Sequence, residues 1–197
     1  MNGKISSSKQ KAKIAILLMW SLLFIFPALI ISGYYLENLH EINAKALLAL
    51  LVTLISFVIV IASLVVFIIW FYKAYSNLYQ KTSNLKYKKY WAILGWIIPI
   101  INLYLPYFLI KDMYSNIAIL TNDSTAVENF KKLTAINIWW ALYILGWILD
   151  IGYYIAIYPD KSIVFDITTY ILLIPSVWFT VKIIRDYCES EERLFSN

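Results

Sequence analysis

The sequence has little of what most soluble proteins use for cross-linking and for chemistry. Its 197 residues include one cysteine, Cys188, and one histidine, His40. A single cysteine forms no internal disulfide, and one Cys and one His far apart in sequence make a poor metal site. Charged residues are also scarce, at 15% against roughly 25% in a soluble domain. A secreted disulfide scaffold, an ordinary cytosolic enzyme and a disordered regulator are therefore excluded.

Signatures of the common enzyme families are missing as well. The sequence contains no Walker A phosphate loop, no HExxH zinc motif, no GxSxG nucleophile elbow and no GxGxxG dinucleotide loop. The longest polar segment, 111–134, is too short to hold an enzyme domain of its own. We therefore predict that the protein is not an enzyme and has no catalytic residues, no cofactor and no metal site.

Long apolar segments dominate the sequence instead. Hydrophobic residues make up 61% of the chain, and the mean hydropathy is +0.69, which predicts an all-α integral membrane bundle with a single domain, 1–197. The first segment follows four lysines, as a signal peptide does, but its 23 uncharged residues exceed a cleavable core, so we expect a retained helix. The predicted spanning helices are 14–36, 46–72 (continuing as an amphipathic extension to Tyr79), 135–158 and 163–184.

A fifth apolar segment, 91–110, contains Pro99 and Pro106 with Asn102 between them. Prolines leave backbone groups unpaired, which a bilayer tolerates only where protein or a wet cavity shields them. We predict a re-entrant or interfacial hairpin over 91–120, and the alternative is a fifth spanning helix.

The positive charges favour the hairpin. If the segment returns to the side that it entered from, fifteen of the seventeen Lys and Arg residues lie on the cytoplasmic side; five crossings would leave ten there. The positive-inside rule therefore predicts four spans, with both termini in the cytoplasm. The aromatic residues Trp70, Trp91, Trp139 and Trp140 are then expected at the inner interface.

The residues after Pro106 read as an amphipathic helix to about Leu120. Leu109 and Met113 recur at helical spacing, with Asp112 on the opposite face. We predict that this helix lies on the inner leaflet.

The segment 70–116 resembles the uncharacterised bacterial membrane family called domain of unknown function 4328. That family has a WxYRAxxN-like helix end, a variable basic loop, and a Trp-containing segment with a PxxNxxxP pattern. The resemblance implies a multi-pass membrane protein and no known activity. The matching residues are Trp70, Tyr72, Ala74, Asn77, Trp91, Trp96, Pro99, Asn102 and Pro106, while Lys73 replaces the usual Arg and Lys89–Tyr90 replaces a usual Ser-Pro.

Two polar positions within the membrane are candidate functional residues, Asp150 and Asn102. A carboxylate inside a spanning helix is costly and usually faces the bundle interior, so Asp150 is either a proton or cation site or a hydrogen-bonded residue that joins helices. The broken segment around Asn102 is either part of an ion or solute site or a packing device. Asp166 suggests an aspartyl protease pair with Asp150, but the glycine pattern of such proteases is missing and the position is a helix start, where an acid is favoured.

Two charged segments lie outside the predicted spans. The loop 81–90 carries Lys81, Lys86, Lys88 and Lys89, which either contact anionic lipid head groups or an acidic partner, or only set the topology. Net charge alone would suit nucleic acid, and we do not expect that partner. The tail 189–193 is predicted to be a solvated helix end.

Two functional hypotheses follow. The first is a small non-enzymatic protein of the bacterial inner membrane that acts through helix packing with itself or with a membrane or cytosolic partner. It would serve as an accessory or regulatory subunit, or as a pore-forming effector in stress or antiphage defence. The second is an ion or small-solute transporter or channel that uses Asp150 and the Pro99–Asn102–Pro106 hairpin.

Overall fold

A computed structural model describes residues 2–38, 43–121, 126–155 and 163–196. This part of the chain is helical and contains no strand, as the sequence predicts. Its seven helices are α1 Asn2–Glu37, α2 Ala44–Tyr79, α3 Trp91–Ile97, α4 Pro99–Asn102, α5 Leu105–Thr121, α6 Ala126–Ile155 and α7 Ile163–Ser196.

Four of these helices, α1, α2, α6 and α7, are long and apolar enough to cross a membrane. They match the four predicted spans, and α2 continues to Tyr79 as expected. The segment 91–120 adds no candidate span among the described residues, because α3 has seven residues, α4 has four and α5 has 17, whereas a crossing needs about 20. The prediction of four spanning helices with an interrupted segment between the second and the third is therefore confirmed.

The four long helices form an arc in the order α2, α1, α7, α6. Helix α1 packs against both α2 and α7, and α6 packs against α7, while the described residues of α2 and α6 do not pack on each other. An ion pair between Lys9 and Glu192, with a nitrogen–oxygen distance of 2.6 Å, joins the start of α1 to the end of α7. We call the end of the bundle, along the helix axes, that carries this ion pair the terminal side, and the opposite end of the bundle the far side.

A proline inside α1 explains one contact that holds the arc together. Pro27 has no N–H to donate to the carbonyl of Leu23, four residues before it, so this carbonyl needs another donor within the bilayer. The hydroxyl of Tyr170 on α7 donates to the Leu23 carbonyl oxygen at 2.9 Å. The side chain of one spanning helix thus pairs a backbone group that the proline of its neighbour leaves free.

The hairpin of α3, α4 and α5 fills the mouth of the arc on the terminal side. Helix α3 packs on α2, and α5 packs on α6 and α7. The break between α3 and α4 falls at Ile98, which is extended (φ −83°, ψ 114°) because the following Pro99 disfavours a helical conformation there. Pro99 then begins α4 and Pro106 lies in the first turn of α5, where a missing N–H costs nothing.

The apolar face of α5, predicted to lie on the inner leaflet, is covered by other helices of this chain. Leu109, Met113 and Ile117 are buried against other helices of this chain, and Asp112, expected on an exposed face, is buried too. The sequence pattern identified the apolar face correctly but not its partner. The same periodicity suits a membrane surface or a protein core, and here the mouth of the arc supplies the core.

At Gly95, α3 lies close to α5. A Cβ at this position would lie 3.3 Å from Cδ2 of Leu105 and 3.5 Å from Cδ1 of Leu109. We expect Gly95→Leu to lower the free energy of unfolding by about 1–3 kcal/mol, because overpacking forces the two helices apart. The measurement is reversible unfolding by sodium dodecyl sulfate in mixed micelles, followed by circular dichroism. The control is Gly33→Leu, since no heavy atom lies within 4 Å of a Cβ there; equal losses at both glycines would contradict the close approach.

Candidate binding cavity between the membrane helices

A cavity of about 380 Å³ lies on the concave side of the arc, just beyond the hairpin. All four long helices and α3 contribute to its wall. Its length follows from α6, which lines it from Trp139 to Asp150, eleven residues apart, or about 16 Å at 1.5 Å per residue. The cavity therefore runs from the hairpin toward the far side of the bundle.

One polar stripe on α7 faces the cavity. Thr169, Ser176 and Thr180 lie seven and four residues apart, which places them on the same helical face. Thr180 accepts a hydrogen bond from Nε1 of Trp139 at 2.9 Å, and both Ser176 and Thr180 donate to carbonyls of their own helix. Sequence reasoning missed this stripe, although the spacing is visible in the sequence.

Two buried polar atoms at the cavity wall have no hydrogen-bond partner among the described residues. They are Oγ1 of Thr169 and Nε1 of Trp96. Buried polar groups are nearly always paired with protein or water. Thr169 and Trp96 thus each leave one buried polar atom without a described partner beside the cavity.

Asp150 lies on α6 and lines the far-side part of this cavity, as the functional alternative for this residue requires. Its carboxylate forms no hydrogen bond or ion pair with another described residue. The described contacts therefore do not explain Asp150 as a residue that joins helices. Asp166 lines a separate cavity of about 300 Å³ with Tyr34 and Glu37. The two aspartates are therefore not brought together at one site.

The hairpin residues lie at the terminal-side end of the cavity. Trp96 of α3 forms part of the cavity wall, and Asn102 ends α4 with its carboxamide beside the hydroxyl of Tyr143, another wall residue. Oδ1 of Asn102 is buried and has no hydrogen-bond partner among the described residues. Pro99 is exposed and Pro106 is buried, so the two prolines shape the hairpin and do not line the cavity.

Aromatic rings close the cavity toward the terminal side. The ring of Trp96 lies edge-on to Phe67 and Phe71, with centroid distances of 5.1 and 5.9 Å, and 6.3 Å from the Trp139 ring. Edge-to-face contacts of this kind are favourable beyond the apolar area that they bury. In this conformation the cavity is closed on the terminal side.

Below this layer lies a buried core that we call the terminal core, built from Trp70, Tyr75, Met113, Tyr114 and Tyr187. Three tyrosine hydroxyls bind it together: Tyr75 donates to the carbonyl of Tyr87, Tyr114 to that of Ile183 and Tyr187 to that of Ala74. Burial raises the pKa of the Tyr114 hydroxyl well above its ordinary value, so it stays protonated and keeps donating.

Two of the tryptophans predicted at the inner interface face the inside of the protein. Trp70 is 1% exposed and Trp139 is 6% exposed, so their rings pack against other helices of the chain. Trp70 also lies beside the half-buried thiol of Cys188 on α7. Aromatic enrichment near helix ends indicates the depth of a residue but not which way it faces.

Two buried carboxylates belong to the same side of the molecule, and sequence reasoning took both for solvated groups. Glu191 is 2% exposed and accepts a hydrogen bond from Nδ2 of Asn77 at 2.8 Å. Asp112 accepts from the backbone N–H of Lys86 at 2.9 Å and from the Asn116 amide at 3.1 Å. Burial raises the pKa of the Asp112 carboxyl, while the hydrogen bonds from Lys86 and Asn116 pull it the other way.

The four candidate lysines lie on the exposed loop between α2 and α3. Nζ of Lys81 lies 4.7 Å from the centroid of the Phe195 ring, and Nζ of Lys89 lies 5.6 Å from that of Tyr79. Lys86 is fixed through its backbone by Asp112, and Lys88 is exposed. The loop is thus pinned to the terminal core and presents its lysines outward, an arrangement that suits both the lipid-binding and the topology-setting interpretation.

Comparison with protein families gives one match that covers most of the chain. The family model described as "Domain of unknown function (DUF4328)" matches residues 35–188. The matched range includes α2 to α6 and most of α7, and therefore most of the cavity wall. No curated protein and no solved structure matches the chain.

Proposed function

We propose a function for this chain, which belongs to the DUF4328 family, from its own geometry: it is a membrane protein without enzymatic activity that binds a small solute in the cavity between its helices. This is the transporter-like alternative of the two hypotheses drawn from the sequence. The observation that supports it most is the cavity itself, which all four long helices line and whose one charged residue among the described lining residues is Asp150.

The size and the composition of the cavity support this role. Small-molecule sites are largely apolar clefts of about 300–1,000 Å³ with a few polar groups, and this cavity of about 380 Å³ has that character. A charged residue in a membrane helix commonly marks a solute or ion pathway. Because the terminal side is closed, a binding site that opens and closes is favoured, and a permanently open pore is not.

A filled cavity provides the test. Gly146 lines the cavity and a Cβ there would meet no heavy atom within 4 Å, so the side chain of Gly146→Phe can start into the space and occupy part of it. We expect native mass spectrometry of protein released from membranes to detect a small molecule on the wild type that is lost in Gly146→Phe. Binding of this molecule should also be weaker in Asp150→Asn and unchanged in the controls Gly33→Phe and Asp166→Asn. A wild type without a bound molecule, or one retained equally in Gly146→Phe, would overturn the proposal.

A second proposal, the accessory or regulatory subunit, draws support from α2. This helix stands at the end of the arc, and Leu47, Leu51, Leu54 and Val58 are among its many exposed apolar residues. Such a face suits lipid, a second copy of the chain or a partner helix. The same native spectra give the mass of the assembly, and a monomer without any partner would count against this role and against a pore-forming oligomer in stress or antiphage defence.

We place the protein in the bacterial inner membrane, with the terminal side in the cytoplasm. The exposed lysines of the 81–90 loop lie on that side, which accords with the positive-inside rule.

A further inference from the structure

The cavity wall carries charge of one sign only among its described residues. Of the sixteen described residues that line it, Asp150 is the one charged residue. Within a low-dielectric membrane, a carboxylate attracts a positive charge far more strongly than in water. Among the described lining residues no cation faces Asp150, so a positively charged occupant complements this wall best.

The rest of the wall suits an organic cation better than a metal ion. Six of the sixteen lining residues are aromatic, and they include Trp96, Trp139 and Trp147. Trp147 lies three residues before Asp150 on the same face of α6, and aromatic faces attract ammonium groups. The other rings offer an apolar wall to the body of such a ligand. Ca²⁺ and Mg²⁺ take about six or more oxygen ligands. The described side chains of this wall hold one carboxylate, the Tyr143 hydroxyl and three Ser or Thr hydroxyls, two of which already donate to their own helix.

Between α2 and α6, one side of the cavity faces the apolar outside of the bundle. The described residues of α2 and α6 do not pack on each other, and Leu64, the cavity residue on the α2 side of this gap, is 52% exposed. With the terminal side closed by aromatic rings, the gap opens toward lipid. A molecule that enters this way dissolves in the bilayer.

From these three features we infer that the cavity binds a lipophilic organic cation, a quaternary ammonium or protonated amine with an apolar body, whose positive head lies against Asp150 and whose body lies among the rings of Trp96, Trp139 and Trp147. The inference rests on the proposed solute-binding function and specifies the chemical class of the solute.

The test uses the full chain in lipid nanodiscs with radiolabelled methyltriphenylphosphonium as the cationic probe and equilibrium dialysis as the readout. Unlabelled tetrabutylammonium is expected to compete, whereas triphenylphosphine oxide, a neutral molecule of similar shape, should compete at least about tenfold less well. Asp150→Asn should weaken probe binding about tenfold or more, Asp150→Glu should restore part of it, and Asp166→Asn should leave it unchanged.

A second variant keeps the test decisive if Asp150→Asn folds poorly. Trp147→Leu retains bulk but removes one ring face, and we expect about a threefold or greater loss of affinity for the cation and little change for the neutral analogue. Equal binding of cation and neutral analogue, unaffected by Asp150→Asn, would overturn the inference while leaving a solute site in place. If the filled variant Gly146→Phe retains every bound molecule, the proposed function itself fails.

Discussion

Trp70→Ala is expected to lower the free energy of unfolding by about 3–5 kcal/mol, the largest loss that we predict for a single substitution. The side chain is 1% exposed and lies at the centre of the terminal core. Its ring contacts Tyr187 edge-on at a centroid distance of 6.2 Å and Phe67 at 5.6 Å. Removing it leaves a void among rings from α2 and α7, which rigid neighbours cannot fill.

The measurement is again unfolding in mixed micelles of increasing sodium dodecyl sulfate content, followed by circular dichroism. Trp178→Ala is the matched control, because Trp178 lies on the outer face of α7 and is 50% exposed. Its loss should stay within about 0.5 kcal/mol. Similar losses for the two tryptophans would show that Trp70 is not packed as described.

Asn77→Leu is expected to cost about 1.5–3 kcal/mol, because it removes the donor to a buried carboxylate. Nδ2 of Asn77 lies 2.8 Å from Oε1 of Glu191, and both residues are buried. Leucine keeps the approximate shape of asparagine but donates nothing. The carboxylate of Glu191 then stays buried without this hydrogen bond.

A double substitution separates the lost hydrogen bond from lost packing. In Asn77→Leu/Glu191→Leu the buried carboxylate is gone as well, and two apolar groups replace the polar pair, which is often close to neutral. We expect the double variant to be more stable than Asn77→Leu alone. The control is Asn84→Leu, on the exposed 81–90 loop, which should change little. A double variant as unstable as the single one would place the loss in shape and not in the hydrogen bond.

The sequence predicted the four spanning helices because length and apolarity dominate helix formation in a membrane. It also predicted the interrupted segment, since Pro99 and Pro106 remove backbone donors that no bilayer replaces. The lysine distribution selected four crossings over five through electrostatics alone. These features depend on the chain locally, and they could therefore be read without a structure.

Contacts between distant segments were beyond the reach of the sequence. Glu191 lies in a run of acidic residues that reads as a solvated helix end, and only its position opposite Asn77 buries it. Asp112 was placed on an exposed face because its helix was expected at a membrane surface. In both cases the error lies in the partner of a helix face, which periodicity does not specify.

The cavity was accessible in part. Asp150 stands out in the sequence because a carboxylate is rare in a membrane helix. Thr169 and Trp96 do not stand out, because threonine and tryptophan are common in apolar helices. They matter here because each has a polar atom without a described hydrogen-bond partner. Such a deficit exists only once the helices are assembled around an empty volume.

Because Cys188 lies beside Trp70, the reactivity of its thiol reports on whether the terminal side of the protein is folded. Its sulfhydryl is half-buried in the folded protein, so a maleimide dye that fluoresces on alkylation should react slowly with native samples and quickly once that end loosens. Because the chain contains no second cysteine, the fluorescence reports on this one site. Unfolding of the natural sequence can therefore be followed during extraction or heating without an engineered label.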